Sequence, residues 1–358
     1  MSAERAVPGA FMRAEILEQP RVLAQLIAQP PSAIAGVAPL ARRARFAMLA
    51  ARGSSDNAST FGKYLLESFA GIPTALAAPS LFTLYHRPPR LDAGLVIGVS
   101  QSGAAADVIA VLNEARAQGA LTLAITNTAG SPITEAAEHV VLLGAGTERA
   151  LAATKTVTAQ CVAYALLTAA IAQDAQLQRA LETVPESVHA VLAHTESLEA
   201  AARRWRAAQR VAVVGRGYPY AAAQEIALKL KETCYIGAEA YSAADFLHGP
   251  LAMIEPGYPV LVLLNHDAAG AMTADFIARV LACGGDVLCF ATAQACALLD
   301  NVPIGSGQLE VIALDVPSAV LSAIAFIVAG QWFALALALL KGHNPDRSRS
   351  VTKITVTR

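Results

Sequence analysis

Charge is scarce in this sequence. Lys, Arg, Asp and Glu make up 15% of the 358 residues and aromatics only 6%, and 27 basic against 28 acidic side chains leave a net charge of −1. A disordered chain needs high charge and few apolar residues, so a hydrophobic content of 55% excludes one. The missing basic excess argues against a nucleic-acid partner held by bulk electrostatics. Five cysteines (Cys161, Cys234, Cys283, Cys289, Cys296) form no CxxC pair and are odd in number. That excludes a disulfide framework or zinc knuckle and points to a reducing, cytoplasmic compartment. The first twenty residues have no apolar core of the kind a signal peptide needs. No GxGxxG follows the first strand-like run and no GxxxxGK[ST] occurs, so neither a dinucleotide nor a nucleoside triphosphate is expected. Without HxH or HExxH there is no metal-ligand spacing either.

What is present is aliphatic and alanine-rich, as in Ala221-Ala222-Ala223. At ~150 residues per domain the length suggests two domains. Ser318–Leu340 carries no formal charge and only Gln331 as a strongly polar group, long enough to span a bilayer. A single span closing an α/β chain has no topological sense. The segment is read instead as a helix buried between a sheet and a partner subunit, with no membrane involved.

The chain repeats itself. Arg45–Ala51 runs into Arg52-Gly53-Ser54-Ser55, and Arg210–Val214 into Gly215-Arg216-Gly217, with Gly53 and Gly215 162 positions apart. Leu95–Val99 matches Val260–Leu264, Leu121–Ile125 matches Asp286–Phe290, and Val140–Leu143 pairs with Leu309–Ala313. Each half closes on a long apolar stretch, 154–173 and 320–341. Short apolar runs alternating with helical lengths such as Ala105–Gln118 predict parallel strands with crossover helices. The expected fold is α/β with two tandem doubly wound parallel sheets flanked by helices. Its parts are an N-terminal helical arm (1–39), domain 1 (40–175), a helical connector (176–206), domain 2 (207–345) and a C-terminal tail (346–358). Ligands in such sheets sit beyond the carboxyl ends of the strands.

Two polar loops in domain 1 stand at such ends: Gly53-Ser54-Ser55-Asp56-Asn57, and Ser100-Gln101-Ser102-Gly103 after LVIGV. Hydroxyls and free N–H groups at helix starts suit a phosphate dianion, although serine also caps helices with no ligand present. The lack of a lysine there suggests reversible holding. A third loop, Gly146-Thr147-Glu148, is placed to complete the pocket. In domain 2 the helix expected over 221–233 carries Glu225, Lys229 and Glu232 on one stripe. Glu followed four residues later by Lys also makes an ordinary solvated pair. His248, beside Gly249-Pro250, is expected to be fixed in a turn where an imidazole can exchange protons near neutral pH.

In order along the chain stand FMRAEILEQP at 11–20, SQSG at 100–103, AGTE at 145–148, ATK at 153–155 and GRGYPYAAAQEIALKLKE at 215–232. EAY at 239–241, HGPLAMI at 248–254 and RSVTK at 349–353 follow. With these the chain resembles the sugar isomerase (SIS) superfamily in its tandem form. It resembles most the isomerase half of the glutamine–fructose-6-phosphate aminotransferases and the glucosamine-6-phosphate deaminases. The resemblance implies sugar-phosphate contacts at Gly53, Ser54, Ser55, Ser100, Gln101, Ser102 and Leu151. It implies a proton-moving carboxylate at Glu232 and a ring-opening acid/base at His248, supplied across a homodimer interface. Lys353 would reach the open-chain carbonyl region, and Glu225 and Lys229 would line and polarise the site. Ala105 and Ala153 depart from a threonine and a serine of the aminotransferases. The N-terminal motif begins almost at residue 1, which suggests no glutaminase domain. The implied reaction is glucosamine 6-phosphate plus water giving fructose 6-phosphate and ammonia, with neither cofactor nor metal required. A fructosamine-6-phosphate deglycase, an isomerase fed by a separate glutaminase, and a non-catalytic sugar-phosphate sensor remain open. The two apolar helices are further expected to need a second subunit to cover at least one of them.

Overall fold

The computed structural model describes residues 7–349. They divide into two compact units, one formed by 21–148 and 155–182, the other by 7–20, 149–154 and 183–349. Each unit is built on one five-stranded sheet.

The first sheet comprises β1 (Phe46–Ala50), β2 (Thr74–Leu76), β3 (Gly94–Ser100), β4 (Leu121–Thr126) and β5 (His139–Leu142), in the order β2-β1-β3-β4-β5. Every pairing is parallel. A parallel sheet is covered on both faces, so its central strands carry apolar residues at consecutive positions rather than alternate ones. β3 obeys this, being buried along its whole length. The second sheet repeats the plan with β6 (Arg210–Gly215), β7 (Gly237–Ser242), β8 (Pro259–Leu264), β9 (Asp286–Thr292) and β10 (Gln308–Leu314), in the order β10-β9-β8-β6-β7. All its pairings are parallel as well. The duplicated runs of the sequence thus become β1 and β6, β3 and β8, β4 and β9, and β5 and β10. The edge strands β2 and β7 had no apolar run to announce them.

In each sheet the chain moves one way from the first strand, then crosses back to pair on its other side. The strand order therefore reverses between β1 and β3, and again between β6 and β8. At such a reversal the flanking loops leave on opposite faces and open a crevice. The loops after β1 and β3 hold the serines singled out above. The loops after β6 and β8 hold Gly215-Arg216-Gly217 and Asn265-His266-Asp267.

Two helices are long and apolar enough to cross a membrane, Lys155–Ala172 and Ser322–Leu340, with 89% and 83% of their apolar windows buried inside the chain. The first packs on helix Ser54–Phe69 within its unit; the second packs on helices Pro219–Lys229, Val184–Leu192 and Thr195–Arg204 within the other. The apolar character of these two helices predicts a second subunit to cover at least one of them. That prediction fails here, because a single chain already covers both. Gln331, the polar exception in the second, is fully buried and satisfied: its Nε2 donates to the Thr154 carbonyl at 3.1 Å and its Oε1 accepts from Gln19 Nε2 at 2.8 Å.

Candidate active site

The first-sheet unit presents hydroxyls. Helix Ser54–Phe69 begins directly after β1, so Ser54 and Ser55 stand in its first turn, with Gly53 before them at φ 56°. Ser55 is buried, and its Oγ accepts a hydrogen bond from Gln160 Nε2 at 3.0 Å. After β3 the chain turns back on itself: the Gly103 N–H donates to Ser100 Oγ at 3.1 Å, and the Ala104 N–H to Ser102 Oγ at 3.3 Å. Each of Ser55, Ser100 and Ser102 therefore uses its oxygen to accept a proton from the protein, which leaves its own O–H to donate. Donors without a fixed charge, gathered at helix N-termini, are what a phosphate dianion meets in a site that must also release it. The Gln101 carbonyl accepts from Asn127 N–H at 3.2 Å and from the Thr126 and Thr128 hydroxyls. Its side-chain amide makes no hydrogen bond among the described residues.

Gly103 fixes this turn. Its φ of +67° lies where L side chains are strained, and a Cβ there would come within 1.9 Å of Ser131 Oγ. One cation that the sequence reading passed over also stands here. Arg52, half-exposed, holds the buried Asp107 at 2.7 Å and so joins the loop after β1 to the first turn of helix Ala106–Ala117. The absence of lysine is thus not an absence of positive charge. Burial lifts the Asp56 carboxyl above its ordinary pKa, and the Arg52 charge pulls it partly back. The third loop behaves differently from the expectation. Glu148 is buried and accepts from the Thr156 N–H at 3.1 Å and the Thr156 hydroxyl at 2.7 Å, serving the start of helix Lys155–Ala172. Asn127 meanwhile bonds Gly146 O and the Ala145 N–H. The Glu148 carboxylate and the Gly146 carbonyl are thus used within the fold, while Thr147 is exposed.

The second-sheet unit presents charge. Helix Pro219–Lys229 packs on β6, β7 and helix Ser322–Leu340, which drives its Glu225–Lys229 stripe inward. Neither residue is exposed at all, so the solvated-pair reading is ruled out. Lys229 Nζ lies 3.3 Å from Glu225 Oε1 and 2.5 Å from Glu232 Oε2. Burial works to strip the proton from Lys229, but the two carboxylates outweigh it and hold the ammonium's pKa above that of an ordinary lysine. The helix expected to run through Thr233 instead widens into a π-turn over Leu230–Cys234, closed by Tyr235 at φ 54°. π-turns inside helices concentrate at functional sites because they re-aim a side chain. Glu232 sits on this one with its side chain 34% exposed. Its Oε1 has no hydrogen bond among the described residues.

His248 ends the short helix Ala243–Leu247, where its N–H donates to Asp245 O at 3.1 Å before the 3-10 turn Pro250–Met253. Its imidazole is exposed and makes no hydrogen bond among the described residues. Nearby, Tyr241 donates to Glu239, which pushes the phenol up to about 12. Leu151 is half-buried in the segment 149–154 of the same unit. That segment hangs on the N-terminal motif: the buried Glu15 accepts from the Arg149 and Ala150 N–H groups, and the Arg149 guanidinium lies 4.0 Å over the Phe11 ring. Asp346 in turn accepts from the Phe11 and Met12 N–H groups at 3.1 and 2.9 Å, fixing the start of helix Ala10–Leu17 to the segment that leads toward the tail. Lys353 itself lies outside the described residues. The described residues hold no group of three or more His, Cys, Asp or Glu side chains suited to a metal ion.

The model of the SIS domain matches residues 41–170 and 206–338, one match on each sheet. The chain belongs to the SIS domain family. It is 33% identical over 358 residues to a glutamine–fructose-6-phosphate aminotransferase (isomerizing) of Aquifex aeolicus, covering all of this chain but 59% of that protein. The C-terminal domain of the Francisella tularensis glucosamine–fructose-6-phosphate aminotransferase shares the fold at a TM-score of 0.87 and 26% identity, over 97% of this chain and all of that one. A glucosamine-6-phosphate deaminase of Thermotoga maritima gives a TM-score of 0.77 over 97% of this chain and all of that one. At 18% identity that likeness is one of fold. The chain therefore spans about three-fifths of the length of the aminotransferase it matches. Within its SIS units, Ser55, Ser100 and Ser102 flank the first strand reversal, while Glu225, Lys229 and Glu232 touch one another in the second unit.

Proposed function

We propose that this chain is an amino sugar phosphate isomerase that acts as a deaminase, taking glucosamine 6-phosphate and water to fructose 6-phosphate and ammonia. The observation that carries the reading is Glu232, a partly exposed carboxylate on a π-turn with one oxygen held by a buried, charged lysine. That arrangement fixes the carboxylate while leaving Oε1 to move a proton, which is the geometric requirement for a general base.

In this reading the Ser55, Ser100 and Ser102 hydroxyls and the Arg52 charge take the phosphate. His248 protonates the ring oxygen and accepts the anomeric proton, opening the sugar. Glu232 removes the C2 proton to give an enolamine and returns it to C1, which leaves the C2 imine of the ketose. Water adds to that imine, and ammonia leaves. Lys229 stays protonated throughout, so it orients Glu232 and opposes developing negative charge rather than shuttling protons. Lys353 is assigned to the carbonyl region by the resemblance. The same resemblance has His248 serving the site of a second subunit, and its exposure agrees with such a role.

The test is to incubate purified protein with glucosamine 6-phosphate in the absence of glutamine and follow ammonia and fructose 6-phosphate together. Equal appearance of both is the expected result. Failure of both to appear, with the compound still raising the melting temperature, would sink catalysis and leave the sensor reading.

A further inference from the structure

The sequence motifs stop short of one residue that the structure brings to the phosphate loops. Gln160, on helix Lys155–Ala172, is 1% exposed. Its Nε2 donates to Ser55 Oγ at 3.0 Å, while its Oε1, equally buried, has no hydrogen-bond partner among the described residues. Leaving a buried acceptor unpaired costs ~1–3 kcal/mol. The opposite amide orientation would relieve Oε1 by letting it accept the Ser55 hydroxyl proton, but that proton would then be lost to any ligand.

We propose that Gln160 is a positioning residue that sets the polarity of the Ser55 hydroxyl, holding it as a donor toward the phosphate of the substrate. The inference rests on the sugar-phosphate reading of these loops. A hydroxyl has one proton; once its oxygen accepts from Gln160, the proton points elsewhere, and Ser55 donates to no group among the described residues. The same helix also fixes the Ser55 backbone. Ser59 Oγ lies 2.9 Å from the Ser55 carbonyl, an acceptor only, so Ser59 donates to it. Tyr164 Oη, 3.0 Å from Ser59 Oγ, must then donate to Ser59. Burial raises the Tyr164 phenol's pKa, which keeps that donor protonated. The ring reaches Ser59 by lying flat against Gly62, where a Cβ would come within 2.4 Å of it. Gln160 and Tyr164, one turn apart, thus hold Ser55 by side chain and, through Ser59, by main chain, and Gln160 alone sets the direction of its proton.

The experiment compares wild type with Gln160→Glu, Gln160→Met, Ser55→Ala and the double variant Gln160→Glu/Ser55→Ala. Binding of glucosamine 6-phosphate and of unphosphorylated glucosamine is measured by calorimetry, and kcat and KM are taken from turnover. A carboxylate can only accept from Ser55, so Gln160→Glu should weaken glucosamine 6-phosphate about tenfold or more, as Ser55→Ala does, since a hydrogen bond to a charged group is lost in both. The loss should fall on KM rather than kcat, spare glucosamine, and be absent when Gln160→Glu is added to Ser55→Ala. Gln160→Met, which removes the donor without taking the proton, should cost less and serves if the glutamate variant does not fold. Wild type that prefers glucosamine 6-phosphate over glucosamine, with Gln160→Glu and Gln160→Met unchanged or additive with Ser55→Ala, would overturn the role of Gln160 alone. Wild type with no preference for the phosphate would overturn the reading of the loops, and this inference with it.

Discussion

Replacing Lys229 by methionine tests whether the charged set in the second unit is a buried machine or a surface ornament. The lysine and Glu225 are wholly inaccessible and 3.3 Å apart, and Glu232 closes the set at 2.5 Å. Methionine keeps most of the volume but takes the Lys229 charge away from the buried Glu225. Breaking one side of a buried pair costs ~3–5 kcal/mol, because a charge is left where water cannot reach it. At ~2–4 °C per kcal/mol for a unit of this size, the melting temperature should fall by roughly 6–20 °C. The loss should also depend on pH. A buried carboxyl that loses a neighbouring cation has its pKa raised relative to the wild type, takes up a proton more readily on folding, and is destabilised least in acid. The variant should therefore lose less at about pH 5 than at about pH 8. Wild-type Lys229 behaves oppositely: its pKa is raised from 10.5, so its contribution is complete below that value and lost only as the pH climbs past it. It supplies no pH dependence between pH 5 and 8.

Tryptophan fluorescence is the natural probe, since both tryptophans, Trp205 and Trp332, belong to the unit that holds Lys229. Trp332 lies on the helix packed against Pro219–Lys229, and the ring of Trp205 meets Phe333 edge-on at 5.6 Å. Adding Glu225→Gln to Lys229→Met should restore part of the stability, because a fully neutral replacement of a buried pair is far cheaper than a half-broken one. A loss below ~1 kcal/mol, the size of an exposed pair, with no pH dependence, would refute the argument.

Glu232→Gln should retain glucosamine 6-phosphate binding by calorimetry while turnover falls ~10²–10⁴-fold; unchanged turnover would remove Glu232 from the base role. Arg52→Ala should raise KM for the phosphorylated substrate several-fold through the lost attraction of its half-exposed charge for the phosphate. That increase should shrink as salt is added, and an effect on kcat alone would contradict its placement. Gly103→Ala should lower stability by more than the ~1–3 kcal/mol of backbone strain, because the new Cβ also meets Ser131. Its affinity for the sugar phosphate should fall in parallel, and a wild-type melting curve would show that the turn is not fixed by this glycine.

The central strands were legible because burial on both faces leaves a run of apolar residues that no surface element shares. β2 and β7 were not, being edge strands: Thr74–Leu76 has only three residues, and Gly237–Ser242 places Glu239 and Tyr241 where one face is open. The serine loops were found from their place after β1 and β3. Gln160 was invisible, since a glutamine in an apolar helix gives no sign that it points across to Ser55, 105 residues away. Arg52 was passed over because an arginine in a loop reads as solvated until Asp107 is seen beneath it. The π-turn was equally hidden: the sequence LKETC fits an α-helix, and only packing reveals the extra residue per turn that re-aims Glu232.

The duplication sharpens the proposed reading, because the two copies share one topology and differ in what their strand reversals hold. In the first, Ser55, Ser100 and Ser102 accept hydrogen bonds through their oxygens, and none donates to another group among the described residues. In the second, the equivalent side chains already answer one another. Asn265 Nδ2 bonds Asp267 at 2.8 Å and the Ala319 carbonyl at 2.9 Å, Asp267 accepts from the Ala269 N–H, and His266 meets Thr292 at 2.9 Å. Side chains of the loop after β8 that are matched to one another in this way have little to offer a phosphate. The second copy's partly exposed carboxylate lies instead farther along the chain after β6, at Glu232, whose Oε2 meets Lys229. Hydroxyl donors with one half-exposed arginine beside them let a doubly charged ligand come and go, whereas proton transfer from carbon needs a carboxylate held beside fixed charge. In the proposed reading each sheet serves one demand, so the Ser55 variants should act on KM and the Glu232 variant on kcat.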